Sequence, residues 1–306
     1  MRRSDFVRTA SLGIASALFA FAFGSVFAAA AQNGTAPAPV SAADCSKDPR
    51  VAEVAKVWKA RTQPPPFVVT LADAPCFRNA LLHRLSLGPV VGYKIGVYSK
   101  GARATYQTDR PAVGVLLRDM LQPEGKAVSA GFAFVPLAEA DFLAVVGDEG
   151  INEAATPDEV YAHIRAYRPF IELPDDSFAP GEKRDFARLT ALDVLARKGV
   201  MGPEFLLPQT PQARAALRDM VVETTIETPQ GSNTSSVEAK ELQGDLMQVV
   251  LDARDLLRAE GIRLARGDVI SLGTLTPAHR PVAGETFTVI YRIGDTNFTI
   301  RQVFTP

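Results

Sequence analysis

The chain has 306 residues, which is enough for one large domain or two small ones with a substantial buried core. Its 33 lysines and arginines nearly balance its 34 aspartates and glutamates, which argues against nucleic acid as a partner. Two cysteines and three histidines exclude a Cys/His zinc module, so any bound metal would be held largely by carboxylates.

The N-terminus has the pattern of an export signal. Arginines near the start precede an uncharged run over 9–31 that ends in alanines, as in a cleavable signal peptide. The run is also long enough to span a bilayer, so an uncleaved anchor is the alternative. We predict a signal peptide over 1–31, cleavage near Ala31, and a flexible leader over 32–47. The mature protein would be periplasmic or secreted, with no stable membrane anchor.

Export changes how the two cysteines are interpreted. In an oxidising compartment, two remaining thiols usually pair. We therefore predict a Cys45–Cys76 disulfide, whose loop of about 30 residues would contribute roughly 3 kcal/mol in the chain-entropy model. The alternative is a cysteine nucleophile, but no histidine lies in a recognisable partner motif.

The mature chain begins with helical patterns. Apolar residues recur at helical spacing over 48–60, and three consecutive prolines end that segment. A second helix is predicted over 72–87. Together these segments define a small helical N-terminal part over 48–88.

From Pro89 the sequence changes to short β-rich runs separated by turn residues. Strands are predicted over 90–97, 132–135, 138–146, 269–272, 286–293 and 297–303, with helices over 157–167 and 242–259. The polar run 231–236 is predicted to be a loop. The expected fold class is α+β, with one mixed β-rich, catalytic-type domain over 89–306.

Three acids lie within apolar segments of this domain. Glu139 and Asp141 are two residues apart, so in a strand they point to the same face, where their charges repel and lose hydration. A divalent cation, a basic partner or solvent exposure could offset this cost. Glu172 is a third acid in an apolar run. Three carboxylates with water suit Mg²⁺ or Mn²⁺.

One lysine has a comparable setting. Lys94 is the single charge in the segment Gly92–Gly96, which is apolar and begins and ends with glycine. It is either an edge-strand lysine or a group that binds an anion or transfers a proton.

The order of these features resembles the fumarylacetoacetate hydrolase superfamily, in its 2-oxopent-4-enoate hydratase / 4-oxalocrotonate decarboxylase branch. The segments that carry the likeness are Gly92–Gly96, Pro111–Met120, Glu139-x-Asp141, Glu172 and Gly267–Thr276. The likeness covers the chain from about Val51 to the C-terminus. It implies a fumarylacetoacetase C-terminal-like mixed β-roll with the site in a central cleft, and a homo-oligomer.

The resemblance also implies roles for individual residues. It assigns Mg²⁺ or Mn²⁺ to Glu139, Asp141 and Glu172. It assigns substrate binding to Lys94, Gly273 and Thr274, and catalysis to Lys94 and Asp119. The implied ligand is a small 2-oxo or enol acid, and the implied reaction proceeds through a metal-stabilised enolate.

Two positions depart from the pattern of the hydratases. Ala112 stands where they carry an acid, and Leu195 stands where they carry a serine. We therefore predict a metal-dependent hydro-lyase, like 2-oxopent-4-enoate hydratase, or a decarboxylase. The alternative is an exported binder of metal and a small dicarboxylate or 2-oxo acid, without catalysis or with altered chemistry.

Overall fold

The computed structural model describes residues 44–179 and 181–306. The predicted signal peptide and the leader up to residue 43 lie outside these residues. No helix in the described part of the chain is both long and apolar enough to cross a membrane.

Two helices precede the first strand, as the sequence predicts. Helix α1 (Pro49–Ala60) is capped by Asp48, whose carboxylate accepts a hydrogen bond from the backbone N–H of Arg50. Helix α2 (Ala74–Leu85) packs against it. Cys45 and Cys76 form the predicted disulfide, with 5.9 Å between their Cα atoms. The bond joins a short 3-10 turn before α1 to the start of α2.

The rest of the described chain contains twelve strands and six further helices. The strands are β1 (Val90–Gly96), β2 (Ala112–Leu117), β3 (Leu121–Pro123), β4 (Val128–Ser129), β5 (Glu139–Val146), β6 (Ile164–Leu173), β7 (Lys198–Met201), β8 (Val221–Thr228), β9 (Gly231–Glu238), β10 (Val269–Ser271), β11 (Thr286–Ile293) and β12 (Thr296–Thr305). The helices are α3 (Lys100–Tyr106), α4 (Pro157–Ala162), α5 (Phe186–Ala191), α6 (Pro211–Arg218), α7 (Ala239–Gln243) and α8 (Leu246–Ala259).

The strands form two sheets, so the fold class is α+β as predicted. A seven-stranded mixed sheet has the order β2-β1-β10-β5-β6-β7-β3, and a five-stranded sheet has the order β4-β12-β11-β8-β9. In the first sheet β1 pairs parallel to β10, β10 pairs antiparallel to β5, and β5 pairs antiparallel to β6. The C-terminal ends of β1, β6 and β10 and the N-terminal end of β5 therefore lie at one edge of the sheet.

Strand β5 lies at the centre of the core. Its residues from Ala140 to Val146 are almost fully buried, because the strand has neighbours on both faces. The ring of Phe142 contacts Tyr167, Phe205 and Tyr291. The Tyr291 hydroxyl, from β11 in the second sheet, lies 2.5 Å and 2.7 Å from the backbone carbonyl oxygens of Asp141 and Phe170. Packing and these contacts join the two sheets directly behind the acidic residues.

Three predicted segments have a different structure. The helix expected over 157–167 ends at Ala162, and β6 then begins at Ile164, because pairing with β5 outweighs the local helical pattern. No strand forms over 132–135, since the backbone N–H groups of Phe134 and Val135 bond to the carboxylate of Asp175 instead of a neighbouring strand. The polar run 231–236 lies in β9, paired with β8.

Candidate active site

A cleft of about 590 Å³ opens at the sheet edge where β1, β6 and β10 end and β5 begins. Lys94 of β1, Glu139 of β5 and Glu172 of β6 line it, together with Gly273 and Thr274 just after β10. The strand order thus brings together residues that are far apart in the sequence.

The register of β5 and β6 places the acids next to one another. Glu139 is directly opposite Glu172, and Asp141 lies two residues further along β5, opposite Phe170. Asp141 is fully buried, and Glu172 is 3% exposed. The solvent-exposed alternative is therefore excluded for Asp141, whereas Glu139 is partly exposed at the cleft.

Each acid has a hydrogen-bond donor from this chain. The Glu172 carboxylate accepts from Lys94 Nζ, and that of Glu139 accepts from the Thr274 hydroxyl. Asp141 accepts from the Ser271 hydroxyl and from the backbone N–H of Leu272 at 3.1 Å. Ser271 and Thr274 therefore orient Asp141 and Glu139 on β5.

Burial and the proximity of like charges raise the pKa values of two acids in this cluster. Burial raises the pKa of Glu139 to about 7, and the neighbouring charge of Glu172 adds to the shift. Burial and Glu172 together raise the pKa of Asp141 to about 7 as well. The site holds more buried negative charge than its lysine balances.

Lys94 is the cation of the cluster. It is 4% exposed, and its ammonium bonds to Glu172 and to the backbone carbonyl of Val194, the latter at 3.0 Å. Burial disfavours the charged form, but Glu172, Glu139 and Asp141 together outweigh burial, so the pKa of Lys94 is raised. Lys94 is not an exposed edge-strand lysine, because β1 lies between β2 and β10.

Gly273 and Thr274 shape the wall beside the acids. Gly273 has a φ of +84°, and a Cβ there would come within 3.1 Å of Gln243 Nε2. Gln243 Nε2 in turn donates a 2.6 Å hydrogen bond to the carbonyl of Thr274. A glycine is therefore required for the chain to pass close to Gln243.

Asp119 is the predicted site residue that the structure does not bring to the cleft. It lies in the turn after β2, its side chain is half exposed, and its carboxylate pairs with Arg118 at 3.0 Å. Its neighbours are Arg118 and the Gly88 region, not the acid cluster. The turn that follows β2 lies at the surface, so Asp119 lies there as well.

The sequence analysis missed several residues of the site. Asp193 is buried, accepts a 2.7 Å bond from the backbone N–H of Val115, and begins a run of three residues with positive φ. Burial raises the pKa of Asp193 to about 7. Asp193 itself does not line the cleft, whereas Arg184, Gln243 and Thr276 do. An acid inside the apolar run 191–196 was a signal for Asp193, whereas the others lie in segments with no distinctive pattern.

The acids fit a metal ion in their chemistry. Within 44–179 and 181–306, no three or more His, Cys, Asp or Glu side chains lie together in an arrangement that could hold a metal ion, because each acid points toward its own hydrogen-bond donor. The donor set nevertheless consists of buried carboxylate oxygens with unbalanced negative charge, as Mg²⁺, Ca²⁺ or Mn²⁺ requires. The residues present therefore suit a hard divalent cation.

No protein-family model matches the chain, and no curated protein matches it. Solved structures do. The 4-oxalocrotonate decarboxylase from Pseudomonas putida G7, complexed with magnesium and adipate, superposes with a TM-score of 0.69 at 19% identity, over 84% of this chain and 97% of that chain. The same enzyme complexed with calcium and acetate gives 0.63 at 20% identity, over 77% and 86%.

These similarities define the fold. The chain has the fold of the fumarylacetoacetate hydrolase superfamily, as the resemblance in sequence implied. Its architecture is similar to that of 4-oxalocrotonate decarboxylase, and the match covers 97% of that chain.

Proposed function

We propose that the protein is a metal-dependent lyase acting on small 2-oxo or 2-hydroxydienoic acids, as a hydro-lyase or a decarboxylase. The observation that carries the proposal is a cluster at the sheet edge that opens into the cleft, made of the buried Lys94, Asp141 and Glu172 and the partly buried Glu139. The similarity to an enzyme complexed with magnesium or calcium and with carboxylic acids supports it.

The metal would be held by Glu139, Asp141 and Glu172, and Mg²⁺ or Mn²⁺ fits this all-oxygen set. When bound, the ion would supply Lewis-acid stabilisation of negative charge on the substrate's 2-oxygen. Ser271 and Thr274 keep Asp141 and Glu139 oriented through their hydroxyl groups.

Lys94 supplies the second positive charge of the site. Its raised pKa keeps the ammonium protonated at neutral pH, and the residue lines the cleft beside Glu172. It can hold the anionic end of a substrate and deliver a proton to it. The backbone at Gly273 and Thr274 also lines the cleft, and it would bind the substrate's carboxylate.

The test is a spectrophotometric assay of the purified protein with 2-hydroxypenta-2,4-dienoate and with 4-oxalocrotonate, in Mg²⁺, in Mn²⁺ and in EDTA. Metal-dependent loss of the conjugated absorbance is the expected result, and product analysis separates hydration from decarboxylation. Equal rates in metal and EDTA, with folding verified by circular dichroism, would contradict the proposal.

A second candidate is an exported binder without turnover. Ala112 and Leu195 favour it, because neither side chain can transfer a proton or donate a hydrogen bond. Calorimetric binding of a 2-oxo acid in Mg²⁺, with no change in the acid after prolonged incubation, would support this candidate over the enzyme.

Export and assembly belong to the same proposal. The Cys45–Cys76 bond supports an oxidising location, the periplasm or the exterior, because such bonds persist there. We expect a homo-oligomer in solution, which light scattering would check. Fractionation of cells that express the full chain would test the location, and finding the protein in the cytoplasm would contradict it.

A further inference from the structure

The cleft is larger and less polar than its acid cluster requires. Its volume of about 590 Å³ lies within the range of pockets that enclose drug-sized ligands, roughly 300–1,000 Å³. A small 2-oxo acid held at Lys94 and Glu139 would leave the outer part of this volume unfilled.

The outer part of the cleft is bordered by an apolar cluster separate from the main core. The cluster is built on Val97, Ala112, Phe178, Leu189 and Val194, with Ala102, Tyr106, Phe186 and Leu195 packed against it. Val97, Leu189 and Leu195 are among its members that also line the cleft. We name this surface the apolar wall.

Both departures from the hydratase pattern belong to this cluster. Ala112 is 4% exposed within it, and Leu195 packs on it and faces the cleft. An acid at position 112 or a serine at position 195 would place a polar group among apolar neighbours. The two substitutions therefore leave this apolar cluster without an added polar group.

The outer part also offers no free positive charge. Apart from Lys94, Arg184 is the only lysine or arginine among the described residues that line the cleft. Its guanidinium pairs with both carboxylate oxygens of Asp176, which lines the cleft as well. A second carboxylate on the ligand would have to displace Asp176 to find a counter-charge, and this competition is costly in a partly buried setting.

Two buried polar atoms of the cleft have no hydrogen-bond partner in the described part of the chain. They are Gln243 Oε1 and Thr276 Oγ1, on residues that are 5% and 2% exposed. Because Gln243 Nε2 donates to the Thr274 carbonyl, its Oε1 is left as an acceptor. Buried acceptors are normally satisfied, so a ligand with a donor group would complete the site.

We propose that this site takes a 2-oxo acid with a single negative charge, a hydroxyl group next to its 2-oxo acid end and a long apolar tail, instead of a short dicarboxylate. The proposal rests on the proposed function, since it assumes that the acid cluster with its metal binds the 2-oxo acid end. The tail would lie on the apolar wall, and the hydroxyl would donate to Gln243, which lies against Gly273 and Thr274.

Calorimetry in Mg²⁺ with three probes tests the proposal: 2-oxooctanoate, 2-oxoadipate and 3-hydroxy-2-oxooctanoate. We expect 2-oxooctanoate to bind about tenfold more tightly than 2-oxoadipate, because its tail buries apolar surface and needs no counter-charge. The hydroxylated acid should bind more tightly still, and this gain should vanish in Gln243→Met.

A charge variant sharpens the test. Asp176→Asn frees Arg184 and should strengthen binding of 2-oxoadipate about tenfold, without changing that of 2-oxooctanoate. Asp158→Asn is the matched control, because Asp158 also pairs with an arginine, Arg214, but is exposed and does not line the cleft. It should alter neither affinity.

The outcomes separate this inference from the function on which it rests. Equal or tighter binding of 2-oxoadipate by the unmodified protein would overturn the preference for an apolar tail and leave the proposed function standing. Failure of all three acids to bind in Mg²⁺, in folded protein, would overturn both.

Discussion

The inner end of the cleft, at Lys94 and the three acids, and its outer end, at the apolar wall, are built in different ways. At the inner end, regular strands in fixed register hold buried charges, and each acid has a donor from this chain. At the outer end, irregular segments and short helices present an apolar wall with one neutralised ion pair. Strand register fixes the position of chemical groups, whereas loops decide which ligand fits beside them.

The largest effect should come from removing an acid at the inner end. Glu139→Gln retains the size of the side chain but deletes one of three carboxylates, so we expect metal-dependent ligand binding to be lost. Calorimetry with Mg²⁺ and a 2-oxo acid measures it. Glu149→Gln, outside the cleft, is the control, and undiminished binding in Glu139→Gln would refute the metal assignment.

Lys94→Met tests whether the inner end depends on its cation for stability. It leaves Glu172 buried without its partner, and breaking a buried pair from one side costs about 3–5 kcal/mol. Urea unfolding measures the loss. Lys240→Met, which removes an exposed lysine paired with Asp219 and Glu238, should change stability little. Similar losses of unfolding free energy in the two variants would show that the buried ion pair of Lys94 contributes no more to stability than an exposed one.

Leu189→Ala examines the outer end. Leu189 is 2% exposed in the apolar cluster, so truncation should cost about 3 kcal/mol of unfolding free energy. The affinity for Mg²⁺ should stay unchanged, since no acid of the inner end is touched. A parallel loss of metal binding in folded protein would mean that the two ends are not independent.

A pH dependence is expected at the boundary between the ends. Burial raises the pKa of Asp193 from 3.8 to about 7, so between these values the folded protein keeps a proton that the unfolded chain releases. Stability must therefore fall as pH rises through this window. Glu139 and Asp141 titrate in the same window, so Asp193→Asn should reduce the fall without abolishing it. Unfolding free energies at pH 4.5, 6 and 7.5 measure it, and an unchanged slope would contradict the assignment.

The sequence predicted the inner end better than the outer end for a physical reason. Acids and a lysine inside apolar strand patterns are conspicuous, and β11 matches its predicted range of 286–293. Asp119 lies away from the other predicted site residues, because the turn after β2 carries it to the surface. The resemblance could not anticipate that turn.

The outer end depends on contacts that local patterns do not contain. Arg184 lies in an irregular segment, and Gln243 ends a five-residue helix just before Gly244 interrupts the helical pattern predicted over 242–259. His163 ends α4 where the pattern predicted continued helix. In each case pairing or packing with distant residues decides the structure, and one sequence alone does not specify those partners.

Tyr291 has a consequence for how such a site can diversify. Its hydroxyl contacts the carbonyl oxygens of Asp141 and Phe170, which are register partners on β5 and β6. The spacing of the acid-bearing strands is thus braced from the second sheet, by a residue that does not line the cleft. The apolar cluster is free to accumulate changes such as Ala112 and Leu195 while the brace preserves the inner end. Evolution can thereby retune the choice of ligand without rebuilding the chemistry.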